Sequence, residues 1–398
     1  MADSSTTTTS PSSSSSAFPI RSPPPIYRLP PDTLHTIIST LPLRQIILLR
    51  SVSKPFHQTL TSPPFLSSLH HPPLPLLALR PPHHHHHTHH RNHHLSIPSL
   101  HAFDASANTW FAFPLSFLPF RSLTPVTSGD GLVYLWGERE GTDNTFDGSN
   151  SKSLVVCNPV VKTFRVLPQL GSAWSKHGSV VAGVGNRVMV LSELATLFYG
   201  GGGNGWMPFG AGLPSKPRSP VMVRERLYAL CDVGTPWRSQ WKLYTCGVPG
   251  FRGGGFGWGR LERVEWGDVF DIMKRPRLVR GVGNVVLMVG GLKSSFSLNA
   301  TCTTIVILRL DLQSLEWDEA GRMPAEMYRC FQESSKFKVF GGGERVCFAA
   351  KRVGKLALWD CSVEGEAGGV WRWIDGVPGY GDGLCRGFVF EARLDAVP

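Results

Sequence analysis

Carboxylates are sparse in this 398-residue chain, 29 against 40 lysines and arginines. No G-x-S-x-G elbow, H-E-x-x-H helix or Cys/His nucleophile arrangement occurs, so no catalytic residue is assigned and the chain is not expected to be an enzyme. No cofactor is called for, and no metal site is assigned. No apolar run approaches the roughly 20 residues a membrane-spanning helix needs, and the N-terminus has no apolar core of the secretory kind, so neither a membrane span nor secretion is expected. Cysteine is present without any C-x-x-C or framework spacing. Cys157, Cys231, Cys246, Cys302, Cys330, Cys347, Cys361 and Cys385 lie mostly in apolar, strand-like runs, which reads as reduced, buried thiols of an intracellular protein.

What is abundant is turn chemistry: 42 glycines and 32 prolines argue for many short strands rather than long helices. The net charge of +11 and pI near 9.4 are compatible with nucleic acid or an acidic partner. The basic residues are nevertheless scattered, with no run longer than three, and read as a solvated surface. Residues 1–25 are Ser/Thr/Pro-rich with one acid, Asp3, and no arginine before Arg21; a disordered tail is the expectation, set against a transit peptide.

Residues 29–66 carry more apolar groups than so short a segment can bury. Leu34, Ile37, Ile38 and Leu41 fall at i, i+3, i+4 and i+7, one stripe of a helix opened by Pro31-Asp32 and closed by Pro42. Leu43, Ile46, Ile47 and Arg50 continue the period in a second helix. Ser53 can cap a third, with Pro55 in its first turn and Phe56 and Leu60 on its apolar side. Three helices in about forty residues, with no cysteine or metal pair to staple them, point to an associated subunit.

The stretch resembles the F-box, the helical module that docks F-box proteins onto the Skp-type adaptor of a Skp–cullin–F-box ubiquitin ligase. The resemblance rests on Leu29-Pro30, Leu34, Ile37, Leu41-Pro42-Leu43, Arg50, Val52, Lys54, Phe56 and Ser62-Pro63-Pro64-Phe65. Phe56 stands where the family usually has tryptophan, and Ser53 where cysteine is frequent. The resemblance implies an F-box over 26–70, with Leu29, Pro30, Leu34, Ile37, Leu41, Pro42 and Leu43 as adaptor contacts. Val52 and Phe56 would hold the helices together.

Beyond residue 74, short apolar runs lead to polar turns and then to an aromatic anchor. Trp110, Phe164, Trp206, Trp258, Trp317 and Trp373 recur about every fifty residues, which suits four-stranded blades. Gly183-Val-Gly-Asn-Arg-Val188 and Gly281-Val-Gly-Asn-Val-Val286 repeat a Gly-Asn turn before a strand, two blades apart. Since a lone four-stranded sheet exposes both faces, the expected fold is a small all-α module followed by an all-β propeller over 74–395, with six blades, or seven according to how the termini close the ring. Each anchor would fill a wedge between blades, and Leu76-Leu77-Ala78-Leu79 looks like the first propeller strand.

Val289-Gly290-Gly291 adds one kelch-like diglycine, and the order of parts is similar to the plant F-box/kelch-repeat proteins. That resemblance implies a protein-recruiting propeller and, with it, action in the cytoplasm or nucleus. His83 to His87, His89, His90, His93 and His94 form a tract read as a loop insertion at 81–99. Its imidazoles could capture zinc or nickel, but a homopolymeric loop lacks the partners that fix a structural site. The Gly-x-Gly turns open strands rather than helices and are not phosphate cradles. Residues 252–260, rich in glycine with Phe256 and Trp258, resemble RNA-binding segments only in one copy.

The expected function is therefore recognition. The F-box docks the Skp-type adaptor and its cullin, while the propeller holds a target protein for ubiquitination by other subunits, raising its effective concentration there. The alternative is a kelch-type scaffold or a basic RNA-binding protein without a ligase role. Steep salt dependence would mark the latter, and nucleic acid is not the expected partner.

Overall fold

A computed structural model describes residues 25–80, 98–138, 152–200, 205–209, 212–249, 257–295, 301–332, 337–362, 368–378 and 384–398. The Ser/Thr/Pro tail up to residue 24, the histidine tract and residues 252–256 of the Gly/aromatic segment lie outside the described residues. The chain divides into two compact units, Met1–His71 and Pro72–Pro398.

Proline sets the helix starts of the first unit. After a 3-10 turn at Pro25–Arg28, α1 spans Pro31–Ser39, α2 Leu43–Leu49, α3 Lys54–Thr61 and α4 Pro63–Ser68. Pro30 and Pro42 stand just before α1 and α2, and Pro31, Pro55 and Pro63 occupy first turns, where the fixed φ suits a helix and the missing N–H costs little. Ser53 caps α3, its Oγ accepting the Phe56 amide N–H at 3.3 Å. Leu34, Ile38, Leu43, Ile46, Ile47, Phe56, Leu60 and Phe65 form the interior. The His35 ring packs 5.5 Å from Phe65, and His71, as its Nε2–H tautomer, donates to the Ser39 carbonyl at 2.8 Å.

The second unit is a six-bladed propeller of six four-stranded antiparallel sheets. The innermost strands, from blade 1 to blade 6, are Arg386–Ala392, Ser122–Gly129, Ser179–Ala182, Arg218–Val223, Met273–Arg280 and Phe337–Gly342. The corresponding outermost strands are Thr109–Pro114, Thr163–Val166, Met207–Phe209, Gly259–Leu261, Trp317–Arg322 and Val370–Ile374. Middle strands such as Val188–Leu191, Arg345–Ala350 and Leu356–Asp360 are buried almost throughout, because neighbouring blades cover both faces. Such strands are continuous apolar runs instead of alternating ones. The repeated Gly-Asn turns join the first two strands of blades 3 and 5, where Gly185, Asn186 and Gly283 take positive φ.

Both ends of the propeller build blade 1. Its inner strand Arg386–Ala392 pairs antiparallel with Leu74–Arg80, from Leu74↔Ala392 to Arg80↔Arg386. Thus Leu76–Leu79 belongs to the first strand in chain order but the second in the blade, and a C-terminal strand closes the ring at six. The tail beyond it is strapped down. Fully buried Asn158 donates through Nδ2 to the Arg393 carbonyl at 3.0 Å and the Ala396 carbonyl at 2.9 Å, and Asn186 donates to the Val397 carbonyl at 3.0 Å. A Cβ at Gly131, which has φ +79°, would lie 2.8 Å from the Ala396 Cβ, so glycine is required where the tail crosses.

All eight cysteines are free thiols. Burial pushes Cys157 up to about 12 and Cys231 and Cys385 up to about 11, although hydrogen bonding at Ser215 partly offsets it at Cys231. Cys330 and Cys361 are exposed. In a native thiol titration these two are expected to react within minutes, and Cys157, Cys231, Cys246, Cys347 and Cys385 only after denaturant is added. Peptide mapping of the labelled sites checks this, and fast native labelling of Cys157 would contradict the packing.

Candidate functional site: docking face and propeller channel

Within the helical unit the apolar stripe of α1 divides. Leu34 and Ile38 turn inward, whereas Ile37 is 46 % exposed and Leu41 half-buried. Leu29, Pro30 and Pro42 are also exposed. Leu34 and Leu43 are each only 7 % exposed, because they fill the space between the helices and have little apolar area left for a partner.

Phe56 is buried on α3, whereas Val52 is 65 % exposed. The cause is local. The helix ends at Leu49, and the amides of Ser51 and Val52 bond back to the Leu48 and Leu49 carbonyls, placing residue 52 on an outward turn. Arg50, one position into that turn, is buried, and loss of water lowers its pKa to about 10.

Ile26 and Leu48 complete the exposed large hydrophobics among the described residues of the unit, and neither was singled out from the sequence. A signal for Leu48 existed. Residues 46–49 are four consecutive large aliphatics, and at about 100° per residue no single helix face can bury all four.

The propeller anchors sit at or beside the outermost strands. The Trp110 indole N–H donates to the Asp375 carbonyl of blade 6 at 3.2 Å, Trp206 to the Pro168 carbonyl at 2.8 Å, and Trp258 to Thr196 Oγ1 at 3.3 Å. Trp317 meets Trp266 and Phe270 edge-on, and Trp373 lies nearly parallel to Phe331 of the helix Ala325–Gln332 between blades 5 and 6. Phe164 is the most exposed, its ring 6.3 Å from Phe117. All six thus touch the preceding blade or the segment leading out of it, Phe164 through the connector from blade 1. Trp359 was not singled out as an anchor from the sequence although it is the largest of the nearly fully buried side chains; its N–H donates to the Gly368 carbonyl at 2.8 Å.

The inner strands surround a channel of about 900 Å³. At one end the lining carries Asp130, Glu344 and Glu391 beside Arg280 and Arg345, and Arg345 pairs with Asp360 at 2.8 Å. At the other, a recess of about 550 Å³ is lined by Arg80, Lys216, Arg218, Arg277, Lys338 and Arg386, with Asp232 as the one carboxylate among the described lining residues. Among the described residues no cluster of three or more His, Cys, Asp or Glu side chains could hold a metal ion, and no helix is long and apolar enough to cross a membrane.

Residues 26–68 match the F-box domain family. Over 381 residues the chain is 59 % identical to an Arabidopsis thaliana protein named SKP1-interacting partner 15, covering 94 % of this chain and 99 % of that one. The chain belongs to the F-box proteins. Among solved structures, this F-box protein is similar to Kuenenia stuttgartiensis hydrazine synthase (10 % identity, 66 % of this chain and 70 % of that one, TM-score 0.38). It is also similar to YCF48 bound to D1 peptide (13 % identity, 71 % and 77 %, TM-score 0.37). The blade count rests on strand pairing and draws nothing from these likenesses.

Proposed function

We propose that this F-box protein is the substrate-recognition subunit of a Skp–cullin–F-box ubiquitin ligase, its helical unit docking a Skp-type adaptor and its propeller holding the target. The observation that carries the reading is the exposed apolar face of a module too small to need one, set in an F-box match and in near full-length similarity to a protein named for interacting with SKP1. Exposed apolar area on this scale marks a contact surface.

Leu29, Pro30, Ile37, Leu41 and Pro42 are the proposed adaptor contacts, extended by Leu48 and Val52. Cullin joins through the adaptor. The chain forms no bond itself; it acts by holding the target near the ubiquitin carrier. We also propose that the propeller is a degenerate kelch type, supported by Gly290-Gly291 in the second strand of blade 5.

The test is co-purification of the full chain, and of a version lacking residues 29–66, with a purified Skp-type adaptor and cullin. Capture by the full chain only is expected, and it should change little between low and moderate salt because the contact is mainly apolar. Equal capture by the shortened chain, or none by either, would overturn the reading.

A further inference from the structure

Two loop tips at one end of the propeller leave large apolar side chains in water. In blade 3, Leu194 stands at the turn between Val188–Leu191 and Thr196–Tyr199 and is 85 % exposed. In blade 4, Trp237 stands at the corresponding turn between Arg226–Asp232 and Trp241–Gly247 and is 87 % exposed. The two blades are neighbours, and packed sheets lie about 10 Å apart. The Trp258 indole of blade 4, bonded to Thr196 at the foot of the Leu194 turn, ties one to the other.

Backbone hydrogen bonds fix both tips. In blade 4, Thr235 and Arg238 exchange amide-to-carbonyl bonds at 3.0 and 3.1 Å, which leaves Pro236 and Trp237 as a two-residue turn. Below it, Asp232 Oδ1 accepts the amides of Gly234 at 3.1 Å and Gln240 at 2.8 Å, and a Cβ at Gly234 would run into the Arg238 carbonyl oxygen. In blade 3, the Ser192 amide donates to the Ala195 carbonyl at 2.9 Å and Ser192 Oγ accepts the Ala195 amide at 3.2 Å, with Glu193 and Leu194 between them. The turns therefore hold their shape without burying Leu194 or Trp237, and both side chains are preset for a contact outside the fold.

A protein interface of standard size buries about 1,600 Å² around a contiguous apolar core. These tips offer two separate apolar side chains, flanked by exposed Glu193, Pro236 and Arg238, and form no such core. A bilayer surface needs no matching groove: it takes tryptophan and aliphatic side chains singly at headgroup depth, and anionic headgroups attract nearby cations. Cations are present at this end. Arg238 adjoins Trp237, and exposed Lys351 and Arg352 occupy the corresponding turn of blade 6, while Glu193 is the only carboxylate on the three tips. We propose that this end of the propeller seats on an anionic lipid surface, with Leu194 and Trp237 entering the headgroup layer. The contact is peripheral, since no helix among the described residues is long and apolar enough to cross a membrane.

The experiment sediments the full chain with vesicles of phosphatidylcholine and phosphatidylserine in equal parts, beside vesicles of phosphatidylcholine alone. The wild type should bind the mixed vesicles about tenfold or more tightly than the neutral ones. L194S/W237S should lose about tenfold or more in affinity for the mixed vesicles at an unchanged unfolding temperature, because both side chains already lie in water. K351Q/R352Q should bind more weakly at low salt and approach the wild type as salt rises.

No binding by the wild type, or equal binding to both kinds of vesicle, would overturn the proposal. So would binding that survives L194S/W237S, because charge alone would then draw the chain to the lipid. Concentration-dependent self-association without vesicles, abolished in L194S/W237S, would assign the tips to a second copy of the chain and overturn it as well. Adaptor capture is read in parallel and should be the same in L194S/W237S as in the wild type. Its absence in both, with vesicle binding intact in the wild type, would sink the ligase reading and leave the lipid contact standing.

Discussion

A chain ending at Cys385 is expected to lose its propeller and keep adaptor capture. The missing segment contains the inner strand of blade 1, and without it Leu74–Arg80 becomes an unpaired hydrophobic edge. Phe388, Phe390 and Leu394 are buried in the native fold, each worth about 1.5–3 kcal/mol. Together with the lost strand pairing, this is on the order of the whole margin of about 5–15 kcal/mol that holds a typical protein folded.

Ring closure fails as well. Leu77, Leu79 and Phe103 of blade 1 share a buried cluster with Phe340, Leu358 and Ile374 of blade 6, and that cluster depends on blade 1 being complete. Circular dichroism melting and limited proteolysis read the result. A cooperative transition at the wild-type temperature would show that the strand is dispensable. Asn158→Ala is the graded counterpart. It removes two hydrogen bonds to the C-terminal tail and should cost about 1–3 kcal/mol while leaving the ring closed.

The paired substitution Ile37→Asp with Val52→Asp is expected to weaken Skp-type adaptor binding by about a hundredfold or more, with little change in melting temperature. Each side chain loses apolar contact worth up to about 1.5–3 kcal/mol and leaves a carboxylate facing a dry interface, while every 1.4 kcal/mol is about tenfold in affinity. Because both are exposed in the free chain, the module's own interior is untouched. Phe65→Ala should behave in the opposite way. A fully buried phenylalanine replaced by alanine costs about 3–5 kcal/mol, so the module unfolds and adaptor binding falls only as a consequence. Calorimetric titration beside thermal melts separates the two cases. Unchanged affinity in the aspartate pair would remove Ile37 and Val52 from the interface.

Much of the architecture is legible along the chain because it is local. Pro31-Asp32, Pro42 and Ser53 punctuate the helices through φ restriction and capping, which act within one turn. The propeller is legible for a related reason: each blade repeats the same local order of strands, turns and an outer aromatic, so six anchors correspond to six sheets. The burial of Leu34 and Leu43 and the exposure of Val52 were not legible. Helical periodicity names a stripe, but whether a stripe residue faces a sister helix or open solvent depends on helices elsewhere in sequence.

Charge marks the boundary most clearly. By itself the sequence determined a short helical module with surplus apolar surface and a repeating β-architecture, since both follow from local spacing. Its cations read as scattered, because Arg80, Arg218, Arg277, Lys338 and Arg386 are far apart along the chain. Only the tertiary structure decided that they meet. A closed ring brings one end of every inner strand to the same mouth, with the C-terminal strand completing the first blade, so residues remote in sequence come to line one recess.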